Sequence, residues 1–303
     1  MGLTSAKKAQ RAKAQYLAED IGDRELADAW FRQVQDFFTL ERVSENIEIE
    51  ELLLKQKEHE IELLKKGKSY PNLPRFSPSA MNKCDTALFR VANKIKLPPQ
   101  KLYPYNRRWT RAGSAVHEYS QRDMLYMEKV LQNPRFTVKR NEMGLPFWEK
   151  NVATYREFNH NGQTFLISGM LDGMLVDNIT GQDVLFEKKT KSTTKQQTGT
   201  YLMKGPQEGH IKQGTAYACL FMDNPYADED LTEIFEYENL SRDNWNKGAD
   251  AVPDLRTFQH KITLEDRMEL LDRLAYICGL DSEPPHVGCE DFFCSISQSE
   301  VKT

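Results

Sequence analysis

Three residues have types and spacing that suit the cutting of phosphodiesters: Asp172, Glu187 and Lys189. Two carboxylates suit a hard cation that takes oxygen ligands and keeps several waters, and an adjacent ammonium can orient or help activate an attacking water. Magnesium is the expected ion, with manganese able to substitute. On its own, Glu-x-Lys is an ordinary exposed pair. What raises it is the apolar run Val184-Leu185-Phe186 that leads into Glu187 and the Asp on the apolar run Thr164 to Asp177.

The elements that must position these groups are strands. Asn161-Gly162 lies between Tyr155-Arg-Glu-Phe-Asn-His160 and Gln163-Thr-Phe-Leu-Ile-Ser-Gly169, a dipeptide that favours a two-residue hairpin. The run from Thr164 to Asp177 reads as one strand, and Asn178 to Gly181 turns the chain so that Val184 to Thr190 lies beside it. Period-2 alternation then sends Glu187 and Lys189 to one face, and Phe186 and Lys188 to the other. Two more features stand at consistent distances. His117 follows the small residues Ala112 to Ala115 in a helical pattern, and Gln213 and Tyr217 lie four apart on one face of a second helix.

Gly113-x-x-x-His117, Gly169-x-x-Asp172-Gly173, Glu187-x-Lys189 and Gln213-x-x-x-Tyr217 together resemble the RecB-type branch of the PD-(D/E)xK nucleases, which includes phage recombination exonucleases and the nucleases of CRISPR adaptation. The resemblance runs from about Pro74 to Cys294. It implies an α/β, restriction-endonuclease-like fold, a central mixed sheet flanked by helices. It implies that His117, Asp172 and Glu187 ligate the metal with the backbone carbonyl of Lys188, and that Lys189 positions or activates water. Gln213 and Tyr217 would hold the active-site strands and the DNA backbone. The activity implied is a magnesium-dependent DNA exonuclease in recombination, repair or phage DNA processing. An endonuclease of the same fold, a non-cutting DNA-binding module and a scaffold acting through the N-terminal helices are the alternatives.

The 303 residues carry a formal net charge of -4, so nucleic acid must be held by local basic clusters. Arg107 to Arg111 is one such cluster, with Arg108 and Arg111 as phosphate contacts; Lys188, Lys191, Lys195, Lys204 and Lys212 form another, with Lys191 as its phosphate contact. No run of about 18 apolar residues is present and the first fifteen residues lack the apolar stretch of a signal peptide, so the expected location is the cytoplasm, or a host's cytoplasm for a viral product, without a membrane partner.

Five cysteines, an odd and unevenly spread set, fit reduced thiols. Many RecB-type nucleases tie their ends with an iron–sulfur cluster, using one Cys after an S-P-S turn and three near the C-terminus. Cys84 after Ser77-Pro78-Ser79, with Cys278, Cys289 and Cys294, is the corresponding set. Its C-terminal spacing departs from the family's, and the expectation is that no cluster forms.

The chain divides near Tyr70. Residues 1–69 are expected to form a helical, coiled-coil-like N-terminal region that pairs with itself, pairs with a recombination partner or packs on the nuclease core, and 70–303 the nuclease domain, with Pro71, Pro74 and Pro78 as the hinge. Near the C-terminus, Thr232 to Leu240 and Arg256 to Ile262 read as strands, followed by a helix capped by Thr263 with Asp266 at the capping-box distance.

Overall fold

The computed structural model describes residues 24–99, 103–192, 194–241, 253–286, 294 and 296. Six α-helices are described: α1 (Glu25–Phe38), α2 (Ile47–Lys66), α3 (Asp85–Ala92), α4 (Pro104–Val130), α5 (Glu208–Phe221) and α6 (Leu264–Cys278). The described strands are β1 (Arg75–Phe76), β2 (Phe136–Val138), β3 (Thr154–His160), β4 (Gln163–Gly169), β5 (Gly173–Asp177), β6 (Asp183–Lys191), β7 (Leu231–Asn239) and β8 (Leu255–Ile262). They form two mixed sheets, of order β1-β4-β3 and β2-β5-β6-β7-β8. In the larger sheet β6 pairs antiparallel with β5 and parallel with β7. The parallel pair requires a crossover, and α5 supplies it.

The hairpin forms at Asn161-Gly162. His160 pairs with Gln163, and φ is 46° at Asn161 and 76° at Gly162, the two positive values that a type I′ turn demands. The strands near the C-terminus and the capping box also form, with Thr263 accepting from the Asp266 amide while the Asp266 side chain accepts from the Thr263 amide at 2.8 Å.

The run from Thr164 to Asp177 is not one strand. It breaks after Gly169, so that β4 joins the small sheet and β5 the large one. Gly169 sits where a Cβ would lie 2.8 Å from Pro78 Cδ, so the turn at Pro78–Ala80 presses directly on the backbone there. The chain crosses between the sheets through Met170, Leu171 and Asp172.

The helices within residues 24–66 pack on the core, and residues 1–23 of the expected N-terminal region lie outside the described residues. Trp30, Val34 and Phe37 of α1 are buried with Phe136, Phe186 and Ile234 against one face of the large sheet. The start of α1 is tied to β8, since the amides of Leu26 and Ala27 both donate to Gln259 Oε1, at 2.8 and 2.9 Å. Helix α2, capped by Asn46, lies on the same body: Gln56 accepts from the Trp148 indole at 3.0 Å and Glu60 binds Lys150 at 3.1 Å. Its apolar residues split, with Ile49 buried and Leu54 and Leu64 exposed.

The opposite face of the large sheet packs Met174 and Leu185 against Tyr217 and Ala218 of α5. A further apolar layer, including Phe76, Leu88, Phe165 and Leu271, fills the space between the small sheet, α3, α5 and α6. With α1 and α4 on one face of the large sheet and α5 on the other, the chain is an α/β protein of mixed sheets flanked by helices. Among the described residues no helix is long and apolar enough to cross a membrane.

Candidate active site

Strand alternation places the central groups. Phe186 and Lys188 face α1 and α4, while Leu185, Glu187 and Lys189 face α5. Asp172 stands at the entry to β5, whose first residue Gly173 pairs with Phe186, so its carboxylate reaches the same end of β6 and accepts from the Lys188 amide at 3.0 Å. Gln121 of α4, itself buried, donates to the Asp172 carbonyl at 2.9 Å and pins that crossing segment.

His117 arrives on α4, which comes close to β6 at Gly113, where a Cβ would lie 3.3 Å from Thr190 Oγ1. Its Nε2 is 3.0 Å from Asp172 Oδ2 and its Nδ1 is 3.4 Å from Glu149 Oε1. Burial opposes the charged imidazolium, but Asp172 and Glu149 outweigh it and hold the His117 pKa up at about 10.

From α5, the Gln213 amide donates to Glu187 Oε1 at 2.9 Å and to the Tyr217 hydroxyl at 3.1 Å, while its carbonyl oxygen lies 3.4 Å from Lys189 Nζ. Lys189 also pairs with Glu187. Burial works against the Lys189 ammonium, yet Glu187 and Asp172 raise its pKa above the usual lysine value, so it is a cation at neutral pH. Glu187 is fully buried, and burial followed by the neighbouring Asp172 pushes its pKa up. Its Oε2 has no hydrogen-bond partner among the described residues.

The structure thus brings together His117, Asp172, Glu187, Lys189, the Lys188 backbone, Gln213 and Tyr217. Two carboxylates and an imidazole, with one buried carboxylate oxygen lacking a partner among the described residues, are donors of the kind that could hold a divalent cation. His117 has the arrangement of a metal-binding histidine, one ring nitrogen toward the site and the other held by a carboxylate.

Two acidic residues that the motifs do not mark complete the site. Glu149, the first residue of the 3₁₀ turn Glu149–Val152, has φ of 42° and sets its Oε1 3.4 Å from His117 Nδ1. Glu233 of β7 is fully buried against Gly214, neither oxygen has a hydrogen-bond partner among the described residues, and burial followed by Glu187 raises its pKa far above the carboxylate range. A conspicuous Glu in the apolar alternation of β7 was the available signal.

Other expected contacts are placed differently. The Lys188 side chain is buried and paired with Glu236 at 2.5 Å and Glu238 at 2.6 Å, so it cannot serve a phosphate. Lys191 lies over the Tyr237 ring at 5.5 Å with its ammonium 3.4 Å from Gln207 Oε1, and Lys212 pairs with Glu208 at 2.6 Å. Tyr217 is buried and braces the strands rather than offering a surface to DNA. The side chain of Lys195 lies outside the described residues. Arg108 and Arg111 are exposed on α4, and Arg111 precedes His117 by six residues, about 9 Å along the axis. Beside them Tyr103 and Tyr105 stack at 5.4 Å, and Tyr105 meets the exposed Trp109 at 4.9 Å.

Of the cysteine set, Cys84 and Cys294 come together with Sγ atoms 3.9 Å apart. Cys278 packs instead against the apolar layer under α6, where burial pushes its thiol up to about 11, and Cys289 lies outside the described residues.

No family model and no curated protein matches this chain. A solved crystal structure, that of SSO0001, is 17% identical over 84% of this chain and 95% of its own, with a TM-score of 0.37, a likeness too loose to bear on fold or activity.

Proposed function

We propose that this chain is a metal-dependent deoxyribonuclease of the PD-(D/E)xK kind, acting as an exonuclease in recombination, repair or phage DNA processing. The observation that carries the reading is the convergence of Asp172, Glu187, Lys189 and His117 at one end of β5 and β6, with Gln213 bridging Glu187 and Lys189. The order of Asp-led strand, Glu-x-Lys strand, crossover helix and parallel partner accords with a restriction-endonuclease-like sheet.

Asp172, Glu187, His117 and the Lys188 backbone would hold the cation, which when bound supplies Lewis acidity at a phosphate oxygen and a more acidic water. Glu149 holds the His117 ring through Nδ1, and Nε2, which faces Asp172, would give up its proton to ligate the cation. Lys189, kept cationic by Glu187 and Asp172, orients the water and offsets charge on the phosphate rather than serving as a neutral base. Gln213 contacts both groups, its amide donating to Glu187 and its carbonyl oxygen facing the Lys189 ammonium. The exposed arginines and rings at the start of α4 suit a strand led toward His117.

The test is an end-labelled linear duplex with magnesium or manganese, followed in time beside a covalently closed circle. Stepwise shortening of the linear DNA alone, abolished in Glu187→Gln and Asp172→Asn, is expected. Cutting of the circle would make the enzyme an endonuclease. DNA binding with no metal-dependent cleavage would make it a binding module and overturn the proposal.

A further inference from the structure

We propose that His210 and Lys191 form a phosphate subsite beside the Asp172 and Glu187 site, where the imidazole Nε2–H donates to the DNA phosphate next to the one that is cut; the assignment rests on the nuclease reading above. His210 stands in the first turn of α5, three residues before Gln213 and seven before Tyr217, so the three share one face of the helix, toward β6 and β7. Across from it, Tyr237 of β7 pairs in register with Lys189 and is fully buried. The Tyr237 hydroxyl lies 2.7 Å from His210 Nδ1, and the two ring centroids are 5.7 Å apart.

The hydrogen bonds around that hydroxyl decide which ring nitrogen carries the proton. The Gln207 amide reaches the same oxygen at 3.1 Å, and an amide N–H can only donate. Burial raises the phenol pKa, so Tyr237 keeps its own proton. That proton goes to His210 Nδ1, because the reverse tautomer would leave a buried hydroxyl without an acceptor among the described residues. Burial, then the ammonium groups of Lys189 and Lys191, hold the His210 pKa down at about 3, so the ring is neutral at physiological pH. Its Nε2 therefore bears the single ring hydrogen. That nitrogen makes no hydrogen bond among the described residues and is not sealed from solvent. It is an oriented donor lying in the field of two ammonium groups.

Lys191 supplies the charge. It follows Lys189 by two residues on the α5 face of β6, about 6.7 Å along the strand, close to the step between successive phosphates of an extended nucleic-acid strand. Its ammonium meets the Gln207 side-chain oxygen at 3.4 Å and the Tyr237 ring at 5.5 Å, but no carboxylate among the described residues pairs with it. Burial and the neighbouring Lys189 lower its pKa, as expected of an ammonium without a counter-ion. A phosphodiester oxygen would neutralise Lys191 and accept from His210 at once, whereas a base or sugar would bring no charge to Lys191. The first turn of α5 adds the positive end of its dipole at the same place. Lys189 then serves the phosphate that is cut and the Lys191–His210 pair the next one along, which sets the path of the strand past β6.

The experiment measures binding of a fluorescent DNA oligonucleotide by the full chain in chelator, so that nothing is cut, with a methylphosphonate replacing one phosphate at a time. His210→Ala should weaken binding of the unmodified strand roughly 10-fold or more, the scale of one hydrogen bond to a charged group. His210→Gln, which keeps an N–H near the Nε2 position, should recover most of that loss. One methylphosphonate position should weaken binding by the wild type, and at that position His210→Ala should cost nothing further. Nitrogen-15 NMR of the imidazole should show the Nε2–H tautomer in the wild type and a mixture in Tyr237→Phe. Should His210→Ala fail to fold, the wild-type tautomer and Lys191→Ala in the same scan decide, since Lys191→Ala must abolish the sensitivity at the same position. Unchanged affinity in His210→Ala, a loss that His210→Gln does not recover, or an Nδ1–H tautomer in the wild type would each overturn the subsite. Metal-dependent cleavage by the wild type together with any of these leaves the nuclease reading intact, whereas the expected binding responses without cleavage would overturn that reading and leave the phosphate subsite standing.

Discussion

Replacing Gly214 by alanine would set a methyl carbon 1.7 Å from Glu233 Oε2, 2.4 Å from its Cδ and 2.6 Å from its Oε1. Glu233 has no room to yield, being fully buried on β7 beneath α5. Either the carboxyl or the helix must move by more than an ångström, and the cost belongs at the upper end of overpacking, about 3 kcal/mol. That corresponds to a fall in Tm of roughly 6–12 °C for a chain of this size. Because Gln213 adjoins Gly214, displacement of α5 also withdraws the amide from Glu187, and metal-dependent cleavage should fall with stability. The same alanine in a Glu233→Ala background meets no carboxyl. There it should stabilise the protein by up to about 1 kcal/mol, the gain from replacing a helical glycine. Urea unfolding of the wild type, both single variants and the double variant yields the coupling, expected at about 3–4 kcal/mol. Additive effects, or a Gly214→Ala variant as stable as wild type, would show that Glu233 does not occupy the space beside Gly214.

Three other outcomes follow from the site and its surroundings. Lys189→Met should lower turnover at least ~100-fold, the scale of losing one preorganised group that stabilises developing charge, with divalent-ion affinity by calorimetry retained; near-normal turnover would mean that the ammonium plays no part. Asp123 is raised to about 6, by burial first and against the pull of Lys188, so its carboxylate lowers stability as pH climbs from about 4 to about 6. The shift is worth about 3 kcal/mol unscreened and about 1–2 kcal/mol once solvent contact is allowed for. Asp123→Asn should therefore exceed wild type by that margin in urea unfolding at pH 8 and match it at pH 3.5, and an equal difference at both values would refute the assignment. Trp109→Ala should weaken binding of single-stranded DNA by roughly 5–150-fold, the range for losing one stacking platform, while Arg111→Ala should reduce the salt slope by about one. Fluorescence anisotropy across a salt series measures both, and unchanged values would exclude the start of α4 as a strand-binding surface.

What could be read from the chain was whatever local chemistry decides. Asn161-Gly162 specifies its turn because few other residues tolerate two successive positive φ values, and Thr263 with Asp266 caps α6 using atoms three residues apart. Alternation through Phe186, Glu187, Lys188 and Lys189 assigns faces before any neighbour is known. The break at Gly169 was less legible, since an apolar run reads alike whether it serves one sheet or two, and Pro78, which packs against Gly169, lies far back along the chain. The docking of α1 was hidden for a similar reason. Its apolar stripe is explicit, but its partners Phe136, Phe186 and Ile234 lie far along the chain. Lys188 sits in a basic stretch that reads as phosphate-binding, and only the register Lys188↔Glu236 with β7 shows that its charge is spent internally.

That register has a consequence for how the protein assembles. In the β6–β7 pair, Lys188 stands across from Glu236, and the flanking Glu187 and Lys189 point the other way to meet Gln213. A slip of one residue would carry every side chain of β6 through the sheet, stranding the Lys188 ammonium under α5 and thrusting Glu187 and Lys189 toward Trp30 and Phe136. Unpaired buried charges cost several kcal/mol each, far more than a slipped ladder of backbone bonds could return. The two charged clusters on either side of β6 work as a lock with one key position, so the strand that carries the candidate chemistry also verifies its own alignment during folding.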